Sequence, residues 1–166
     1  MIKDHFKMLA RYNQWANARL YDMAGALADD LYRRDAGAYF GSLHGTLNHI
    51  LVADRVWMRR MTGTGDHPGK LDAILFESLH KLCEAREAED ARILSFVSSL
   101  AETDFAKPWD YQTLSGTPQR QLLREILAHF FNHQTHHRGQ AHAVLTVLGV
   151  EEPAGLDLLI MQREAW

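Results

Sequence analysis

Apolar side chains recur every three or four residues along four separate stretches of this chain, and that period restricts the fold more than any other feature. Ile2, Phe6, Leu9, Ala16, Leu20, Met23 and Leu27 form the first ladder and predict a helix over residues 2–27. The same ladder puts Asn13 on its apolar face, where an enclosed amide needs a partner; it lines a cavity or marks a frayed face. A polar stretch from Asp29 to Gly41 leads to Ser42, a good N-cap, and to a second ladder of Leu43, Leu47, Ile50, Trp57 and Met61. The run from Gly63 to Lys70 resembles a phosphate-binding loop only superficially. Its glycines are one residue too far apart, and Leu71 stands where a hydroxyl should hold magnesium, so it reads as a plain loop.

A third helix is predicted over 74–100, with a charged middle from Glu84 to Arg92. Between Asp104 and Pro118 the helical period is lost, and alternation through Trp109, Tyr111 and Thr113 to Ser115-Gly116 suggests a short hairpin or an extended crossover. A fourth helix follows over 119–148 and stops at Gly149, with a short apolar tail around Leu156 to Met161. The expectation is an all-α fold: a four-helix bundle with a long crossover between helices three and four, in one domain over 1–166.

Composition narrows the function classes. Eighteen Lys and Arg against 21 Asp and Glu give a formal charge of -3 with no basic block, which argues against nucleic acid as a partner. Lys7 and Arg11 interrupt the amino-terminal segment, so no signal peptide is expected, and no stretch reaches membrane-spanning length. The single cysteine, Cys83, fits a reducing cytoplasm and reads as a small helix filler rather than a catalytic thiol.

Histidine is the unusual residue: ten copies, four of them between His129 and His137. At about 100 degrees per residue, Leu122, Ile126, Gln140 and Val144 fall within about 20 degrees of His133, which places His133 mid-stripe. His129 and His137 lie about 40 degrees to either side. Leu123, Phe130, Ala141 and Leu148 flank His137, whereas Gln121, Glu125 and Asn132 flank His129, so His137 is the better buried partner. His136 shares the wetter flank and His142 lies nearly behind the stripe. Two enclosed imidazoles need partners at four nitrogens, which favours a shared metal ion over two hydrogen-bonded core histidines. His44 and His49 on the second helix are the available third nitrogens. The His-x-x-x-His spacing is also that of zinc proteases, but Gln134 replaces their glutamate base, which excludes that mechanism.

Three blocks, Tyr12-Asn13-Gln14-Trp15-Ala16-Asn17, Leu43-His44-Gly45-Thr46-Leu47-Asn48-His49 and Asn132 through Gln140, resemble the DinB-like family of small bacterial metal-binding proteins, related to the YfiT-like metal-dependent hydrolases. An unrelated DNA polymerase shares the name. The resemblance covers nearly the whole chain. It implies a four-helix bundle, commonly a homodimer, with one divalent metal on His49, His133 and His137; the choice of His49 over His44 rests on it. Zinc and nickel lead as the ion, with iron, cobalt and manganese also compatible with nitrogen ligands. Two function classes stay open. One is a metal-dependent enzyme, a thiol-dependent transferase or isomerase or a hydrolase, acting on a small molecule or a low-molecular-weight thiol. The other is a non-catalytic metal-binding or stress-related protein. Asn13, Asp54 and Gln140 are the polar candidates for supporting roles, with Asp54 beside Arg55 equally readable as a surface ion pair.

Overall fold

In the computed structural model, which describes residues 1–164, the chain is predominantly helical. Its elements are α1 (Ile2–Gly25), α2 (Asp29–Arg33), α3 (Leu43–Thr62), α4 (Leu79–Ser99), a 3-10 turn (Glu102–Ala106), β1 (Pro108–Gln112), β2 (Pro118–Leu122), α5 (Leu123–Val147) and α6 (Leu158–Glu164). Helix α1 packs on α4 and α5, and α3 packs on the same two helices. Ser42 caps α3 by accepting the Gly45 N–H, and α3 ends at Gly63, whose φ of 73° is the left-handed conformation a Cβ would oppose. None of the described helices is long and apolar enough to cross a membrane.

Three boundaries depart from the periodic reading. The polar stretch after α1 contains the short helix α2. The third long helix starts at Leu79 rather than 74, because Asn48 on α3 accepts the Leu75 and Phe76 N–H groups on its Oδ1 (2.9 and 3.1 Å) and holds that segment extended. The fourth starts at Leu123 rather than 119, because residues 118–122 form β2. That strand pairs antiparallel with β1, with Trp109 opposite Gln121 and Tyr111 opposite Gln119. The hairpin expected in this region is present, displaced toward α5.

The interior has two apolar clusters separated by a polar belt. One holds Phe6, Met58, Ile93, Phe105, Leu127 and Phe130. The other holds Leu20, Tyr32, Leu47, Leu51, Leu82 and Leu145. Between them, each long helix contributes buried polar residues from its intervening turn: Asn13 and Asn17, Asp54, Arg86 and Asp90, Gln134 and Arg138. Arg86 donates to Asp54 at 2.5 Å and pairs with Asp90 at 3.0 Å. Gln134 donates to Asp54 at 2.6 Å, Asn13 and Asn17 donate to Asp90, and Arg138 donates to Asn13. Asn13 therefore neither lines a cavity nor marks a frayed face. Asp54 is not a surface partner of Arg55, which pairs instead with Asp66. Burial raises the Asp54 carboxyl to about 6, against the pull of Arg86, which leaves it ionised at neutral pH.

Candidate metal centre

One turn of α3 and two turns of α5, beside the polar belt, bring His49, His133 and His137 together. One nitrogen from each lies within 4.8 Å of the other two. His49 is buried, and the other two are half-buried. The Nε2 atoms of His49 and His137 are 3.3 Å apart. Two zinc–nitrogen bonds of about 2.0–2.1 Å at a tetrahedral angle would set their nitrogens about 3.3 Å apart, so this pair fits an ion of that size.

The other ring nitrogens fix the tautomers. His49 Nδ1 lies 2.7 Å from the Leu71 carbonyl and His137 Nδ1 lies 2.7 Å from Gln140 Oε1. Both neighbours accept, so both Nδ1 atoms carry the proton and both Nε2 atoms present lone pairs. Two lone pairs facing each other at 3.3 Å repel unless a cation lies between them. Protonation is a poor source of that cation. Burial pushes His49 down to about 4 and His133 down to about 3, the latter helped by the neighbouring imidazoles, and burial also lowers His137 against the opposing bond from Gln140. The donor set is thus neutral at pH 7 and aimed inward.

Local sequence explains how the site is shaped. A Cβ on Gly45 would stand 2.1 Å from the Phe40 carbonyl, so only glycine lets the 36–42 loop lie against the start of α3. That approach stacks Phe40 on His49, ring centroids 3.8 Å apart, and sets its edge toward His137. Asn48, by clamping residues 75 and 76, shapes the loop that returns Leu71 to His49. Sequence gives Asn48 only as a member of the block that ends at His49, and gives no role at the site to Phe40 or the Leu71 carbonyl. The adjacency of Asn48 to His49 was the one available signal, and loop contacts carry no periodicity that would reveal the other two.

The remaining histidines sit elsewhere. His44 faces the Tyr32 hydroxyl with its Nδ1 at 3.0 Å, His136 is exposed beside Gln140, and His142 contacts the Ala154 carbonyl. His129 packs on Trp57 outside the three-histidine group. Of the supporting candidates, Gln140 touches a site histidine, whereas the side-chain bonds of Asn13 and Asp54 run to the polar belt. Gln134 turns inward to Asp54.

Two clefts flank the site. One of about 590 Å³ is lined by Tyr39, Phe40, Leu71 and Ile74; the other, of about 530 Å³, runs along α3 and α5 past His133, His129, Trp57 and Arg60 to the hairpin tip. Seven large apolar side chains are exposed among the described residues, and four of them, Tyr39, Leu71, Ile74 and Leu114, line these clefts. Concentrating exposed apolar surface there is the mark of a binding mouth.

Comparison with known proteins gives the chain's family. Residues 1–164 match the family model described as "DinB family". Protein DinB of Bacillus subtilis (strain 168) is 28% identical over 158 residues, covering 89% of this chain and 88% of that protein. No solved structure matches the chain.

Proposed function

The chain belongs to the DinB family, and from that premise we propose that it holds one divalent metal ion on His49, His133 and His137 and works as a metal-dependent enzyme, a thiol-dependent transferase or isomerase or a hydrolase. The observation that carries the reading is the pair of inward-facing Nε2 lone pairs at 3.3 Å, each fixed by an acceptor on the opposite side of its ring. A divalent ion on three neutral imidazoles keeps its full charge and an open position, and supplies acidification of a bound water or thiol. The chain's own part is to hold the three rings in one tautomer and to exclude water on the Phe40 side. It also leaves the His133 side open to the longer cleft. The fold is read here as a four-helix bundle of α1, α3, α4 and α5, the α4–α5 connection being the crossover that carries the hairpin.

One observation favours the non-catalytic alternative: neither flanking cleft brings a glutamate to the site, and the one carboxylate there, Asp72, lines the cleft beyond Phe40. Loading the protein with zinc, nickel, manganese or iron and assaying each form against ester and thiol-acceptor substrates, with His133→Ala as control, separates the two. Metal-dependent turnover in at least one form is expected, and turnover in none supports the alternative.

Acid should remove the metal later than ordinary imidazoles would allow. In the unfolded chain histidine takes up a proton near pH 6.5. In the folded, metal-free site His49 stays neutral to about 4 and His133 to about 3. Direct competition by protons at these two ligands is therefore weaker than at ordinary imidazoles, and burial lowers His137 in the same direction. Across the same interval the unfolded chain binds more protons than the site histidines do, so their contribution to the metal-free fold's stability falls as pH drops from 6.5 toward 4. Asp54, raised to about 6, acts in the opposite sense. Metal occupancy and melting temperature from pH 3.5 to 8, with and without chelator, check this. Half the metal lost by pH 6.5 would mean solvent-exposed ligands, and full occupancy at pH 3.5 would exclude an all-histidine site.

We also propose a homodimer, which the family resemblance implies. Trp15, Trp57 and Trp109 are all half-buried, Trp15 donating to Glu164, Trp57 meeting His129 edge-on and Trp109 donating to the Arg60 carbonyl, so the exposed aromatic surface offered to a second copy is that of Tyr39. Sedimentation across a wide concentration range should give twice the chain mass; a monomer throughout refutes it.

A further inference from the structure

The cleft that passes His133 ends at an arginine with no anionic partner among the described residues. Among the described residues no carboxylate lies within salt-bridge distance of Arg60, and its side chain makes no hydrogen bond. Its Nε is buried, so the two terminal Nη nitrogens are the donors that a group in the cleft can reach. The guanidinium is also held in place. It lies over Trp57 at 4.5 Å and over Tyr111 at 5.3 Å, two rings in contact with each other at 5.2 Å, so one side of it is held against this aromatic pair while its terminal nitrogens are left for another group. Arg55, Arg86 and Arg92, by contrast, each pair with a carboxylate.

Placement on α3 ties Arg60 to the histidine site. Eleven residues separate it from His49, about three turns and roughly 16 Å of helix axis, and that spacing returns to the same face. Along that face the cleft carries Ala53, Val56 and Trp57, with Leu71 and Leu114 opposite, and no acidic side chain lines it. We infer that Arg60 is the anchoring site for the acid group of an elongated amphipathic organic anion, most simply a carboxylate, whose apolar body lies over Trp57 and Leu114. The other end of that molecule then lies beneath His133. Only the statement of which end reacts rests on the metal reading; the anion site stands on Arg60 and the cleft.

The test uses 4-phenylbutyrate and its uncharged amide as probes, titrated by calorimetry into metal-free protein so that the carboxylate has no metal to bind. Wild type is expected to bind the acid at least about tenfold more tightly than the amide, as a charge-assisted pair supplies. Arg60→Gln should erase that preference, Arg60→Lys should restore part of it, and Arg11→Gln, on a different surface, should leave it intact. Equal affinity for acid and amide in wild type, or a preference that survives Arg60→Gln, overturns the proposal. Zinc titration of the same variants keeps the two readings apart. Normal zinc binding without acid preference sinks the anion site alone, and acid preference without zinc binding sinks the metal reading alone.

Discussion

Replacing His133 with alanine is expected to lower zinc affinity by more than about 100-fold, since losing even a residue that merely orients a ligand costs about 10–100-fold and this change removes a ligand itself. His49→Ala and His137→Ala should do the same, because each supplies one of the three nitrogens that converge within 4.8 Å. Gln140→Ala should fall between, at about 10–100-fold, by freeing the His137 ring to rotate and choose the other tautomer. His129→Ala and His136→Ala should leave affinity nearly unchanged, as neither ring joins the group. Competition titration against a chelator of known affinity reads the whole series. Full binding by His137→Ala would move the site toward His129.

Arg86→Leu should destabilise the fold by about 3–5 kcal/mol, the loss expected when one member of a buried ionic group is removed and its partners stay charged. Arg86 is 2% exposed and neutralises Asp54 and Asp90, themselves 1% and 3% exposed. Without it two carboxylates remain inside the protein with only amides and the more distant Arg138 to hold them. Arg34→Ala is the contrasting change: Arg34 and its partner Asp30 are 56% and 74% exposed, and such pairs contribute about 0–1 kcal/mol. Urea denaturation of both variants decides it. A loss below about 1 kcal/mol for Arg86→Leu would mean that the belt opens to water or that Asp54 and Asp90 neutralise by protonation. The belt also aligns the four long helices, because its bonds form only when the polar turn of each stands at the same level. A registry role of this kind predicts that Arg86→Leu weakens zinc binding even though Arg86 touches none of the three histidines.

The helical period marked four long helices, the loop at Gly63 and the irregular segment before α5, and the loss of period located the hairpin to within a few residues. It failed where local bonding outcompetes periodicity: residues 74–78 have helical spacing but are tied to Asn48, and residues 119–122 pair with β1 instead of extending α5. The helical phase of α5 shows correctly which histidines neighbour one another, but not where its buried stripe is centred. His133 is not mid-stripe. The buried centre runs through Leu127, Gln134, Ala141 and Leu145, about 100 degrees around the helix, and His133 stands at its rim.

The cause of that displacement divides what is local from what is not. Periodicity, caps and the His133–His137 spacing are properties of one segment, set by 3.6 residues per turn and by side-chain type, so they are written in the chain alone. Gln134 and Arg138 look like surface residues by type. They are buried because Asp54 and Asn13, 80 and 125 residues away, supply the charge and hydrogen bonds that offset their desolvation. The same long-range packing turns His133 and His137 to the rim, where they meet His49 beside an open cleft. It also brings the Leu71 carbonyl and the Phe40 ring to His49 from loops that have no pattern of their own. Partners that meet only when four helices pack can be recognised only from the packing, because burying each polar group is favourable solely in the presence of the others.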